Sequence, residues 1–181
     1  LKKRFPQGGP VYFIGEIGLA TALNKAGFYQ SEEPGLAVIG SMDREISFWK
    51  LKRATLLIRS GIPFYFTNPD RTFPTPEGLI PGAGSILAAL ETATDVTPVI
   101  AGKPSTTLYD FALERLGTTP EETLVVGDRL ETDILGGQRA GCKTCLVLSG
   151  VATREEAEAW QPNPDLVINE LGDLLQALDE R

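Results

Sequence analysis

The chain contains no histidine. That excludes the Ser-His-Asp and Cys-His nucleophile systems and most catalytic zinc sites, which need an imidazole. Acid–base chemistry then falls to carboxylates, and any metal should be a hard, oxygen-seeking ion such as Mg2+. Cysteine is scarce too: Cys142 and Cys145, in the stretch GCKTC, are the only two. A single C-x-x-C suggests a redox pair or half of a zinc site. The surrounding KTCLVL reads better as a strand, in which Cys145 fits as a small hydrophobe. No apolar run approaches the ~18 residues of a membrane-spanning helix. The opening LKKRFPQGGP is basic, but no apolar stretch suited to a signal peptide follows it. The expected location is therefore cytoplasmic. Basic residues are outnumbered, 17 against 24 acidic, for a net charge of −7. That balance argues against a nucleic-acid or anionic-membrane partner. An acidic chain that handles an anion needs a local cation to do so.

What is present is a strand–helix rhythm. With 181 residues and 42% hydrophobic, the chain suits one large domain or two small ones with a real core. Strands are expected at 11–14, 36–39, 62–66, 98–101, 123–126, 143–148 and 165–168. Helices are expected between them. In 47–59 the residues Phe48, Leu51, Ala54, Thr55 and Ile58 recur at helical spacing, with Ser47 as N-cap and Gly61 as stop. In the helix opened by Pro104, residues Leu108, Phe111, Ala112 and Leu116 form the inner face. Residues 67–84, with four prolines and no period, read as a long functional loop. Alternating β and α elements imply parallel sheets covered by helices. Two lobes are expected, 10–96 and 97–181.

Right-handed crossovers should bring the loops after 98–101, 123–126 and 143–148 to one carboxyl edge, where open α/β sheets bind ligands. Lys103, the pair Asp128 and Asp133, and Ser149-Gly150 gather there. Taken singly, each has a plainer reading: Asp128 as a turn or cap residue, Asp133 as a solvated first-turn acid, Lys103 as a surface lysine. Their convergence favours a site. A helix N-terminus offsets only about 0.3–1 kcal/mol of the acids' repulsion, so a divalent cation is called for. A cation, a lysine and an anion together point to phosphate chemistry. Gly136 and Gly137, costly inside a helix, read as close helix–sheet packing.

These residues resemble a known family. GKPS (102–105) and VVGDRLETDI (125–134) resemble motifs three and four of the haloacid dehalogenase (HAD) superfamily. FTNPDRTFPTPEGLIPGAGSILAALETATD (66–95), LVLSGVATREEAE and PDLVINELGDLL resemble its subclass with a large α/β cap, the NagD-like and p-nitrophenylphosphatase-like hydrolases. The resemblance implies a cap domain at 10–96 and the C-terminal part of a doubly wound HAD-like core at 97–181. It implies Mg2+-dependent hydrolysis of small phosphorylated metabolites through an aspartyl-phosphate. By matching position, Lys103 would neutralise the phosphoryl group, Asp128 would ligate Mg2+, and Asp133 would hold the lysine or metal waters. Thr67, Asn68 and Asp70 would lie in the cap loop that helps choose the leaving group. Homodimers through the cap are also implied.

The family's nucleophile lies in an N-terminal D-x-D-G motif, and no D-x-D occurs in these 181 residues. The expectation is that the nucleophile lies outside this chain, which alone hydrolyses little and exposes a core strand edge. The alternative is an inactive fragment that binds a phosphorylated ligand or a partner chain. A phospho-accepting receiver fits poorly, since no acidic pair follows an early strand. Dinucleotide binding fits less, since no G-x-G-x-x-G follows a strand.

Overall fold

The computed structural model describes residues 1–179, and the chain divides into two compact units between Ala101 and Gly102. The first holds β1 (Gly9–Ile14), α1 (Ile17–Lys25), β2 (Phe28–Gln30), β3 (Val38–Gly40), α2 (Phe48–Arg59), β4 (Phe64–Phe66), β5 (Thr72–Thr75), β6 (Gly78–Pro81), α3 (Ala83–Thr94) and β7 (Val99–Ile100). Five strands form one parallel sheet in the order β2-β1-β3-β4-β7. Side chains alternate across its faces, as strand geometry requires. Val11, Ile39 and Phe28 pack with Leu23 of α1 on one side. Tyr12, Val38, Phe64 and Phe66 pack with Leu57, Leu87 and Leu90 of α2 and α3 on the other. Ser47 caps α2 as expected, its side chain accepting from Lys50 N–H at 3.3 Å. Gly61, at φ 92, follows the helix in a conformation that suits glycine.

Several local expectations change. Strand β2 was not expected, because FYQ is too short to show a period. Within 67–84, β5 and β6 form an antiparallel hairpin, closed where Thr75 Oγ1 donates to the Gly78 carbonyl at 2.8 Å. The strand expected at 98–101 does not open the second sheet. It closes the first, pairing Tyr65 with Val99 and Phe66 with Ile100. Phe48 is 75% exposed, and Leu57 takes the buried position on α2 instead.

The second unit holds α4 (Thr107–Leu116), β8 (Leu124–Gly127), a wide helical turn (Leu130–Ile134), α5 (Leu135–Arg139), β9 (Lys143–Val147), α6 (Arg154–Ala159), β10 (Leu166–Ile168) and α7 (Leu171–Asp179). Its parallel sheet runs β10-β9-β8, with Val126 opposite Cys145. Leu130, Ile134, Leu146, Ala152 and Ala157 form the core. Thr144, fully buried, is satisfied by Asp165: its N–H and hydroxyl donate to one carboxylate oxygen at 2.7 and 3.0 Å. Cys142 and Cys145 are buried and free. Burial pushes both thiols up, as befits packing residues rather than nucleophiles.

Helix α4 begins at Thr107, three residues after Pro104, and is capped after Leu116 by Gly117. The face expected to be buried is open: Leu108, Phe111 and Leu116 are 52, 58 and 67% exposed. Strand β8 is the last of its sheet, so its outer edge has no partner among the described residues.

Candidate functional site

Strand β8 ends in Gly127, and Asp128 opens the turn beyond it. The chain then enters the wide turn, where the N–H groups of Asp133 and Ile134 both donate to the Arg129 carbonyl, at 3.0 and 3.2 Å. Turns one residue wider than α are rare inside helices and frequent at functional sites. This one swings Asp133 back against the strand end. A Cβ on Gly127 would stand 2.5 Å from Asp133 Cγ and 2.7 Å from its Oδ2. Only glycine at 127 leaves the carboxylate its place.

Asp133 is 6% exposed. Lys103 Nζ donates to its Oδ1 at 2.5 Å, and Arg129 N–H to its Oδ2 at 3.2 Å. Both oxygens are thus held. Losing the lysine would leave a buried carboxylate without its cation, the costly way to break such a pair. Lys103 itself keeps a side-chain exposure of 46%, so it is not sealed in with its buried partner.

Asp128 is half-buried. Its Oδ2 accepts from Val151 N–H at 3.1 Å, and its carbonyl from Ala152 N–H at 3.0 Å. Gly150 makes room, since a Cβ there would collide with the Asp128 side chain, 2.6 Å from Cγ. The second oxygen of Asp128 takes no hydrogen bond from a described residue. It is a hard oxygen at the carboxyl edge of a parallel sheet, suited to ligating Mg2+. Among the described residues no three acids, cysteines or histidines cluster as a metal site. Asp128 could offer a metal one oxygen, and the described residues do not supply a full ligand set.

The structure thus joins Lys103 to Asp133 and sets Asp128 at the head of the same turn. The expected gathering of three loops at one sheet edge is corrected, because β7 belongs to the other sheet. The loops after β8 and β9 do share an edge. Lys103, itself in the second unit just past β7, meets Asp133 through its own ion pair. Gly127 and the Arg129 and Val151 N–H groups were missed in the sequence. The signal for Gly127 was there: a glycine between an apolar run and an acid.

Thr67, Asn68 and Asp70 lie in the first unit, where β4 ends. Thr67 Oγ1 donates to Ser41 Oγ at 3.0 Å. Asn68 Oδ1 accepts from Asp70 N–H at 3.2 Å, an Asx turn. The Asp70 carbonyl accepts from Gly84 N–H at 2.7 Å. A Cβ on Gly84 would stand 2.9 Å from the Asp70 carbonyl carbon. So TNPD and PGAG are packed backbone on backbone where α3 begins. The Asp70 carboxylate has no hydrogen-bond partner among the described residues. Elsewhere in this unit, Glu16 and Arg44 form a bidentate pair at 2.7 and 2.7 Å. Lys50 meets the buried Asp43 at 2.8 Å. No helix of the described residues is long and apolar enough to cross a membrane.

Parallel α/β units, with a lysine–carboxylate pair and a further acid around one strand end, define the class: an α/β protein with a charged site at a strand's carboxyl end. Comparisons with known proteins sharpen this. The HAD-hydrolase-like family model matches residues 100–174. A dihydroxyacetone phosphatase of Corynebacterium glutamicum (strain R) is 38% identical over 173 residues, covering 95% of this chain and 62% of that protein. The p-nitrophenyl phosphatase from Archaeoglobus fulgidus superposes with a TM-score of 0.89 at 36% identity, covering 97% of this chain and 69% of that one. The glycerol phosphate phosphatase of Mycobacterium tuberculosis, solved in complex with magnesium, gives 0.87 at 36% identity, covering 93% and 52%. The chain belongs to the HAD family, in its NagD and p-nitrophenylphosphatase branch. It spans 62% of the length of the curated C. glutamicum relative.

Proposed function

We propose that these residues form the lysine-bearing, metal-ligating part of a Mg2+-dependent phosphomonoester hydrolase acting on small phosphorylated metabolites. The observation that carries the reading is the Lys103–Asp133 pair, at 2.5 Å, on the turn that Asp128 opens. Lys103, anchored by Asp133 and with a half-exposed side chain, offers its charge to a phosphoryl oxygen. Asp133 holds that ammonium in place. Asp128 contributes one oxygen to Mg2+, which when bound neutralises phosphoryl charge as a Lewis acid. Thr67, Asn68 and Asp70 contribute to leaving-group selection, Asp70 through its unpartnered carboxylate.

The attacking carboxylate, which forms the aspartyl-phosphate, comes from outside these 181 residues. Asp128 and Asp133 are both engaged, and no D-x-D occurs. The open edge of β8 and the open apolar face of α4 are where further chain would pair and pack. The protein is cytoplasmic in this reading and dimerises through the first unit. Phe48, Trp49 and Leu56, all exposed on α2, supply the apolar surface.

The same open surfaces favour a second reading, a non-catalytic module that binds a phosphorylated ligand or partner. The test is p-nitrophenyl phosphate hydrolysis and Mg2+ titration by calorimetry, on the 181-residue chain and on Asp128→Asn. The expected result is Mg2+ binding lost in the variant and no hydrolysis above it. Mg2+-dependent turnover by the 181 residues would overturn the placement of the nucleophile. Equal Mg2+ affinity in both proteins would remove Asp128 as ligand. Inorganic phosphate binding that ignores Mg2+ would favour the second reading.

A further inference from the structure

Of the ten residues of α4, only Tyr109 and Leu113 are not exposed. Tyr109 is turned onto the wide turn. Its hydroxyl donates to the Asp133 carbonyl at 3.1 Å, with the Thr132 carbonyl 3.4 Å away. No other described side chain hydrogen-bonds a carbonyl of residues 130–134. The ring rests on Gly136, where a Cβ would stand 2.5 Å from Cε2 and 2.7 Å from the hydroxyl oxygen. Burial first, and then the Asp133 carboxylate, push the phenol up to about 12. It therefore remains a donor throughout the physiological range.

A helical turn widened by one residue has lost the regular spacing of its hydrogen bonds and needs outside partners to persist. This turn has two. At its start, Arg129 N–H meets the Asp133 carboxylate at 3.2 Å. At its end, the Tyr109 hydroxyl meets the Asp133 carbonyl. Asp133 is thus fixed by side chain and main chain, and Lys103 is fixed by Asp133. We infer that Tyr109, seated on Gly136, is a positioning residue that sets the wide turn so that Asp133 holds the Lys103 ammonium. The inference rests on the reading of Lys103 as the phosphoryl-neutralising group. It also accounts for Gly136, whose missing side chain is the seat of the ring.

The experiment uses the 181-residue chain and Tyr109→Phe, which keeps the ring and removes the hydroxyl. Two rates are read: acetylation of Lys103, by mass spectrometry with Lys143 as internal reference, and amide exchange at Arg129 and Asp133, by NMR. Losing one hydrogen bond of ordinary strength predicts about 3–10-fold acceleration at these three positions. Lys143 and the amides of β9 should not change. Unchanged rates at Lys103 and Asp133 would overturn the inference. So would an equal rise across β8 and β9, which marks general loosening. A second arm uses Gly136→Ala. Alone it should speed Lys103 labelling; in a Tyr109→Leu background it should add nothing. Additive effects would overturn the inference. Neither arm depends on turnover. If Asp128→Asn bound Mg2+ like the parent, the functional reading would fail while the labelling result stood.

Discussion

Gly127→Ala places one methyl group where the structure leaves no room for it. The new carbon would lie 2.5 Å from Asp133 Cγ and 2.7 Å from Oδ2. Carbon contacts settle at ~3.5–4.0 Å, so the carboxylate must retreat by about 1 Å. Asp133 has nowhere easy to go, being 6% exposed and bonded through both oxygens. Overpacking of this kind costs about 1–3 kcal/mol. A part-buried N–H left without its acceptor, here that of Arg129, adds up to about 1–3 kcal/mol. With partial relaxation we expect about 2–4 kcal/mol. The second unit has 80 residues, a size at which each kcal/mol moves Tm by roughly 4–8 °C. The melting transition should fall by roughly 10–30 °C in scanning calorimetry, and Lys103 should acetylate faster as its partner moves. Gly18→Ala is the control, because a Cβ there meets nothing within 4 Å; it should leave Tm within about 5 °C. A Gly127→Ala protein that melts within about 2 °C of the parent and keeps Lys103 protected would refute the reasoning.

Two more expectations concern the first unit. The Arg44 guanidinium, by hydrogen bonding, holds the Glu16 carboxyl down to about 2. An acid depressed in the folded state adds stability above its ordinary value of 4.5 and loses it as pH falls through its folded value. The stability difference between the parent and Glu16→Gln should therefore be constant at neutral pH and close between pH 4.5 and about 2. Urea unfolding across that range checks it, and a difference that persists unchanged at pH 2 contradicts it. Trp49, 71% exposed and 6.1 Å from the Phe48 ring centroid, lies on the surface proposed for self-association. Trp49→Glu should convert dimer to monomer in sedimentation velocity; an unaltered distribution removes α2 from the interface.

The long elements were legible because periodicity is a burial signal. Leu57 and Ile58 sit on the inner face of α2, and Ser47 caps it. Strand β2 and the β5–β6 hairpin were not legible, since three or four residues cannot establish a period. Pairing partners were not legible either: residues 98–101 read as a strand, but nothing in PVIA says which sheet will take it. Leu108, Phe111 and Leu116 show the converse failure. Their helical spacing is real, and their face is nonetheless open. Lys103, Asp128 and Asp133 stood out because acids and a lysine beside apolar runs need a reason. Main-chain donors such as Arg129 and Val151 N–H carry no residue-type signature, and Tyr109 reads like any other aromatic on a helix.

Gly127 and Gly150 each lie against an acid brought from elsewhere in the turn or loop. Every missense change one base away from a glycine codon introduces a residue with a Cβ. At these two positions, then, single mutational steps carry no conservative option. Each would disturb a carboxylate that the substituted residue does not itself bear: Asp133 from position 127, Asp128 from position 150. Variation in lineages of this protein should therefore stall at the two glycines even where neighbouring strand residues drift. A change at either should be tolerated only alongside one at the acid it faces, so that glycine and acid behave as a single inherited unit.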